Sequence, residues 1–120
     1  MHRVIIVCGG RDYTDRKKLY TCLGEFHKVH RLSLVFTGGA QGADTLAAEW
    51  CLANHVDVRT MNAEWEHGKG AGTARNHAML LAAQRYGCTA LMAFPGGTGT
   101  DNMIQIALGK LEIYRRDERP

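Results

Sequence analysis

Three apolar runs in this chain each end abruptly in a glycine turn, and polar residues follow the turn at once. The three junctions lie within residues 7–12, 34–44 and 93–100. The second is the densest, with three glycines within five residues and a helix-forming stretch directly behind them. Apolar runs and helix-forming stretches alternate along the whole chain, and the connections are too short for anything but parallel crossovers. This pattern predicts an α/β fold.

The individual elements follow from residue type and spacing. β-Branched and apolar runs predict strands over 3–8, 32–37, 56–61, 89–94 and 111–115, and the third run alternates apolar with polar residues, as an edge strand does. Helical spacing predicts helices over about 15–30, 43–54, 73–86 and 100–108. We therefore expect one Rossmann-like three-layer domain over 1–120, with a parallel sheet of about five strands.

In such a sheet all three glycine turns follow strands, so they fall on the carboxyl edge, where ligands bind. Glycine lets the main chain approach a ligand closely, and a helix that starts behind the turn presents unpaired N–H groups that suit a phosphate. The chain contains neither G-x-x-x-x-G-K-[ST] nor G-x-G-x-x-G after its first strand. A P-loop NTPase and ordinary NAD(P) or FAD binding are therefore not expected, and we expect no cofactor.

Charge and cysteine content narrow the class of protein further. The net charge of +3 fits an anionic small ligand and is far from the basic signature of a dedicated nucleic-acid binder. The four cysteines form no C-x-x-C pair, which indicates buried thiols in a reducing cytoplasm. No apolar run reaches membrane-spanning length. His27 and His30 have H-x-x-H spacing without an evident third ligand, so no metal site is expected.

The candidate ligand-binding residues come from the turns and from the polar loop between the third strand and third helix. Arg75 is placed in the first turn of its helix, where a cation opposes the helix dipole, and we therefore expect an anionic partner for it. The predicted ligand-binding set is Gly9, Gly10, Arg11, Thr37, Gly38, Gly39, Ala40, Gln41, Gly42, Asp44, Lys69, Arg75, Asn76, Pro95, Gly96, Gly97, Thr98, Gly99 and Thr100.

The sequence leaves more than one interpretation open for several of these residues. Asp44 either caps its helix or faces a ribose hydroxyl, Arg11 or a metal, and Thr100 is also a candidate N-cap. Arg11 binds phosphate or pairs with a neighbouring aspartate. Lys69 closes over a phosphate or stays solvated. Trp65 stacks on a base, or belongs to the core or a dimer contact.

Four motifs together resemble a known family. Residues 9–13 (GGRDY), 37–44 (TGGAQGAD), the stretch from Trp65 through Lys69 to Asn76, and 95–100 (PGGTGT) are similar, in that order, to the small YspA-like branch of the SLOG superfamily. That superfamily also contains the LOG phosphoribohydrolases and the DNA-processing protein DprA. The resemblance implies a Rossmann-like fold that binds a nucleotide or a nucleotide-derived ligand, and it makes a homodimer through helix faces plausible.

One departure from the family pattern separates the possible functions. LOG enzymes follow their PGGxGT turn with acidic residues that take part in N-glycosidic cleavage, whereas this chain continues with Asp101, Asn102 and Met103. The leading expectation is therefore a nucleotide sensor or sequestering module. The alternative is a nucleoside monophosphate phosphoribohydrolase using Asp12, Asp44 or Asp101 for acid–base assistance, with Arg75 on the phosphate. Single-stranded DNA binding ranks third.

Overall fold

A computed structural model describes residues 2–68 and 70–116, which form a parallel sheet with helices on both faces. The strands are β1 (Arg3–Cys8), β2 (Leu32–Thr37), β3 (Asp57–Thr60), β4 (Ala90–Ala93) and β5 (Glu112–Arg115). The helices are α1 (Arg16–His30), α2 (Ala43–Ala53), α3 (Ala71–Arg85) and α4 (Thr98–Ala107), with a short 3-10 helix at Trp65–His67. The predicted α/β fold with a five-stranded parallel sheet is confirmed.

The strand order is β3-β2-β1-β4-β5, so the first and fourth strands lie side by side at the centre. From β1 the chain winds outward through β2 to β3, then returns to the centre and winds the other way through β4 to β5. The loops that follow β1 and β4 diverge at this switch in direction and leave a crevice at the carboxyl edge. The prediction that the third strand lies at an edge is confirmed.

Each face of the sheet has its own core because successive side chains of a strand point to opposite faces. Ile5 and Val7 of β1 pack in the cluster beneath α1 and α2, whereas Ile6 packs in the cluster beneath α3 and α4. A strand buried on both faces reads as a continuous apolar run, which is what the sequence shows for β1. Cys8, Cys51 and Cys88 are buried thiols, as predicted, whereas Cys22 is only partly buried.

Two helices begin earlier than predicted. α3 starts at Ala71 instead of Thr73, and α4 starts at Thr98 instead of Thr100. The predicted starts lie too late in the chain because glycines in these turns lower the intrinsic preference for helix. Tertiary packing overrides that preference. α1 begins as expected, because Asp15 caps it by accepting a hydrogen bond from the Lys18 N–H at 3.1 Å. Of the helices described, none combines the length and the apolar character needed to cross a bilayer.

Candidate functional site

The three glycine turns are joined to one another by main-chain hydrogen bonds. The Gly10 N–H donates to the Pro95 carbonyl at 2.7 Å, and the Ala43 N–H donates to the Gly10 carbonyl at 3.1 Å. A Cβ on Gly10 would lie 2.9 Å from the Pro95 oxygen, so only glycine allows this approach. The turns after β1, β2 and β4 therefore form one continuous surface at the carboxyl edge.

This surface is the floor of a cleft of about 1180 Å³, which exceeds the usual volume of a small-ligand pocket. Most of the predicted ligand-binding residues line it: Gly9, Gly10, Arg11, Gly38, Gly39, Ala40, Gln41, Asp44, Arg75, Asn76, Pro95, Gly96, Gly97, Thr98, Gly99 and Thr100. Asp12, one of the candidate acid–base residues, also lines it. Lys69 lies outside the described residues.

Three other candidates do not line the cleft. Thr37 is fully buried beneath the turn, and its hydroxyl has no hydrogen-bond partner among the described residues. Gly42 has φ +76° and faces the first turn, where a Cβ would come within 2.6 Å of the Arg11 carbonyl oxygen. Its glycine therefore serves packing between turns. Asp101 is exposed on α4 and outside the cleft lining.

Among the described residues, the first three N–H groups of α4 have no acceptor, whereas at the start of α2 the Ala43 N–H has one and those of Asp44 and Thr45 have none. Gly97 is the N-cap of α4 and supplies no side-chain cap, and the amides of Thr98, Gly99 and Thr100 donate to no acceptor among the described residues. The amides of Ala40 and Ala43, expected to face a phosphate, donate instead within the protein. Free amides at a helix start favour an anion. The start of α2 also holds the Asp44 carboxylate, which repels an anion, so the stronger anion cradle is at α4. The expectation that Thr100 caps this helix is wrong, since it is the third residue of the helix.

Asp44 is a buried carboxylate beneath the second turn. Its side chain is 5% exposed, Oδ2 accepts the Ala40 N–H at 3.1 Å, and Oδ1 has no partner among the described residues. Burial raises the pKa of Asp44 to about 6, against the lowering effects of the Ala40 N–H, the Arg75 charge and the Gly38 N–H. It is the second residue of α2, whose N-cap is Gly42, so Asp44 holds the turn and does not cap the helix.

Arg75 and Asn76 connect the walls of the cleft. Arg75 is the fifth residue of α3, beyond the first turn in which it was predicted. Its Nη1 donates to the carbonyls of Gly38 and Met61, the latter at 3.2 Å, and its Nε donates to Asn76 Oδ1 at 3.0 Å. The predicted anionic partner is thus replaced by two carbonyls, with Asp44 close enough to feel the guanidinium charge.

Asn76 extends this connection to α4. It is 3% exposed, and its Nδ2 donates to the Gly99 carbonyl at 3.1 Å and to Asn102 Oδ1 at 2.9 Å. Through Asn76 and its neighbour Arg75, the helix start with free amides is fixed relative to the turn after β2. A buried amide group with all its partners present holds the cleft walls in one arrangement.

Several residues of the lining were not predicted from the sequence, chiefly Tyr13, Asn62 and Asn102. Asn62 follows the end of β3, so the rule that ligands meet the carboxyl edge would have found it. Tyr13 packs its ring against Phe94 at 5.4 Å between centroids, and burial raises its pKa to about 12. Asn102 was noted only as a departure from the family pattern. Its contact with Asn76 lies between two helices and has no local signal.

Two further side chains of the lining, those of Trp65 and Cys8, narrow what the cleft can do. Trp65 is 62% exposed at the rim and packs near Gly72, so the core alternative for this tryptophan is wrong. Cys8 lies in the lining, but its pKa is raised far above the usual range, first by burial and then by the nearby Asp44 charge. Its thiol stays protonated, which argues against a thiolate nucleophile in this cleft.

Comparisons with known proteins identify a family and a relative. A family model described as YAcAr, the YspA, cpYpsA-related SLOG family, matches residues 3–68. The Gene 61 protein of Mycobacterium phage D29 is 34% identical over 102 residues, covering 79% of this chain and 78% of that protein. No solved structure matches this chain.

Proposed function

The chain belongs to the YspA, cpYpsA-related SLOG family, and from that premise we propose that its cleft binds a nucleotide or nucleotide-derived ligand as a sensor or sequestering module. Family membership supports a nucleotide-related role. The single observation that carries the more specific proposal is the start of α4, where three amides without acceptors in the described part of the chain face a cleft of about 1180 Å³. A phosphate group satisfies such amides and gains from the helix dipole.

The remainder of the cleft suits the other parts of such a ligand. Arg11 is exposed in the lining and offers a planar donor for a second phosphate or a carboxylate. Tyr13 and Trp65 line the same cleft and provide aromatic surface for a base. A volume of this size accommodates a phosphate, a sugar and a base together.

Calorimetric titration with AMP, ADP-ribose and cyclic nucleotides tests the proposal. The decisive variant is Gly99→Asp, because a Cβ at Gly99 meets no atom within 4 Å and the new carboxylate would lie at the α4 start. We expect Gly99→Asp to weaken binding by at least about tenfold through charge repulsion. Gly99→Asn has nearly the same size without the charge, and we expect it to retain most of the affinity. No binding by the folded wild-type protein across the whole panel would reject the proposal.

A second candidate, hydrolysis of the base–ribose bond of a nucleoside monophosphate, is favoured by Asp44. A carboxyl group in a cleft with its pKa raised to about 6 has the proton affinity that general acid–base catalysis uses. Binding without turnover ranks first because this carboxyl is 5% exposed and covered by the turn it holds.

Incubation with nucleoside monophosphates, followed by chromatography for free base, decides between binding and hydrolysis. Under the second candidate, wild-type protein releases base and Asp44→Asn does not, while both still bind the monophosphate. The absence of released base above the no-enzyme control would leave the binding function alone.

A further inference from the structure

The outer edge of β3 is unpaired and carries two opposite charges. Among the described residues β3 pairs only with β2, and it ends the sheet. Asp57 and Arg59 are both exposed and, being two residues apart, lie on the same face of the strand. A short edge strand with charged side chains is protected against unspecific pairing, but its open N–H and C=O groups still accept a strand whose charges match.

The main-chain groups that face outward can be read from the pairing with β2. The Met61 N–H donates to the Thr37 carbonyl at 2.9 Å, so the main-chain groups of Met61 point toward β2. Main-chain groups alternate in direction along a strand, which directs those of Asp57 and Arg59 toward β2 as well. The N–H and C=O of Val58, and the N–H of Thr60, therefore point away from the sheet.

We propose that two copies of this chain pair their β3 strands antiparallel about a two-fold axis at Val58, forming one ten-stranded sheet. In this register Val58 and the partner's Val58 exchange both of their outward hydrogen bonds. Asp57 then lies directly opposite the partner's Arg59, and Arg59 opposite the partner's Asp57. These are positions without main-chain bonds between them, where opposing side chains come closest. One residue pair thus generates two ion pairs, as an isologous interface requires.

The charges of β3 lack carboxylate or cationic partners within the described part of the chain. Arg59 donates to the Tyr86 hydroxyl at 2.9 Å and lies over its ring at 4.8 Å, and no ion pair includes Arg59 or Asp57. The opposite edge differs. Glu112 of β5 already pairs with Arg3 at 3.6 Å and accepts a hydrogen bond from Tyr114 at 2.6 Å. Charge complementarity to a second copy is therefore available at β3.

The interface of a four-residue strand is small, so the dimer should be weak and should depend on concentration. Sedimentation velocity from about 10 µM to about 1 mM covers the affinity range expected of such contacts. We expect wild-type protein to shift from monomer toward dimer across this range. Asp57→Arg and Arg59→Asp each place like charges opposite one another, and each should weaken dimerisation by at least about tenfold.

Two rescue experiments make the proposal specific to this register. The double variant Asp57→Arg/Arg59→Asp restores opposite charges across the axis and should dimerise like wild type. An equimolar mixture of the two single variants also places opposite charges together and should form a heterodimer. Glu112→Arg on β5 is the control at the other edge and should leave dimerisation unchanged.

Four results of these sedimentation experiments would contradict the β3–β3 dimer. A wild-type protein that stays monomeric up to about 1 mM would overturn the proposal. So would a dimer that both single variants retain, because it would have to form through another surface such as the helix faces. Loss of dimer in Glu112→Arg would assign the contact to β5 and reject β3. Failure of the double variant and of the mixture to dimerise would exclude the proposed register.

Discussion

Replacing Asp44 with asparagine should remove a pH dependence that the structure builds into the stability of the fold. Burial raises the pKa of Asp44 from 3.8 to about 6. A difference of this size corresponds to about 3 kcal/mol, since each pKa unit represents about 1.4 kcal/mol. The carboxyl is 5% exposed, so solvent screens this effect little.

The sign follows from which state holds the proton. Between pH 3.8 and about 6 the folded protein keeps the Asp44 proton and the unfolded chain has released it. The stabilisation that the protonated Asp44 contributes to the folded state is therefore complete below pH 3.8 and is lost as the pH rises through about 6. Relative to Asp44→Asn, the wild-type free energy of unfolding should fall by about 3 kcal/mol between about pH 3.5 and about pH 7.5.

Urea unfolding of both proteins at several pH values measures this difference, and the other carboxylates cancel in the comparison. The difference in unfolding free energy between wild type and Asp44→Ala should depend on pH in the same way. Asp44→Ala should in addition be less stable than Asp44→Asn by about 1–3 kcal/mol at every pH, because the Ala40 N–H loses its acceptor. Asp101→Asn removes an exposed carboxylate from the first turn of α4 and isolates the effect of burial. A flat difference between wild type and Asp44→Asn, or one in which wild type gains stability as pH rises, would refute the reasoning.

Three further predictions concern the cleft. Gly10→Ala should lower the free energy of unfolding in urea by about 1–3 kcal/mol, because the new Cβ would lie 2.9 Å from the Pro95 oxygen. Gly24→Ala on α1, where a Cβ meets no described atom within 4 Å, is the control and should raise it by about 0.5–1 kcal/mol. Equal effects of the two substitutions would contradict this prediction. Asn76→Ala should cost about 2 kcal/mol and weaken AMP binding in calorimetry, since it removes two hydrogen bonds to α4; unchanged affinity would contradict this. AMP binding should change the fluorescence of exposed Trp65, and Trp65→Phe should abolish that signal; a signal that survives would have to come from the buried tryptophan.

The parts of the fold that sequence could predict are those set by neighbouring residues. The continuous apolar run of β1 predicts a strand buried on both faces, and the alternation in β3 predicts an edge strand; the structure shows both. Asp15 caps the start of α1 by accepting a hydrogen bond from the N–H of Lys18, only three positions along the chain. Glycine turns after strands predict that the three turns meet at the carboxyl edge, and the structure has a cleft there, because parallel strands bring their carboxyl ends together.

What sequence could not supply is the use that the folded chain makes of each polar group. That Ala40 donates to a carboxylate, while Thr98 keeps its amide free, depends on how two similar turns pack. Arg75 reaches carbonyls 37 and 14 residues away in the chain. Asn76 meets Asn102 only because α3 and α4 are neighbours on one face of the sheet. Such contacts have no periodicity and no local motif.

The bonds that join the three turns run from main chain to main chain, through Gly10, Pro95 and Ala43. Side chains that line the cleft, such as those of Gln41 and Asn62, are not among the groups that make these bonds. They can be exchanged without breaking those bonds, and under the proposed function such exchanges would change the preference for one base or sugar over another. A lineage with this architecture can therefore acquire new recognition by ordinary point substitution at the rim, while the central glycines remain beyond its reach.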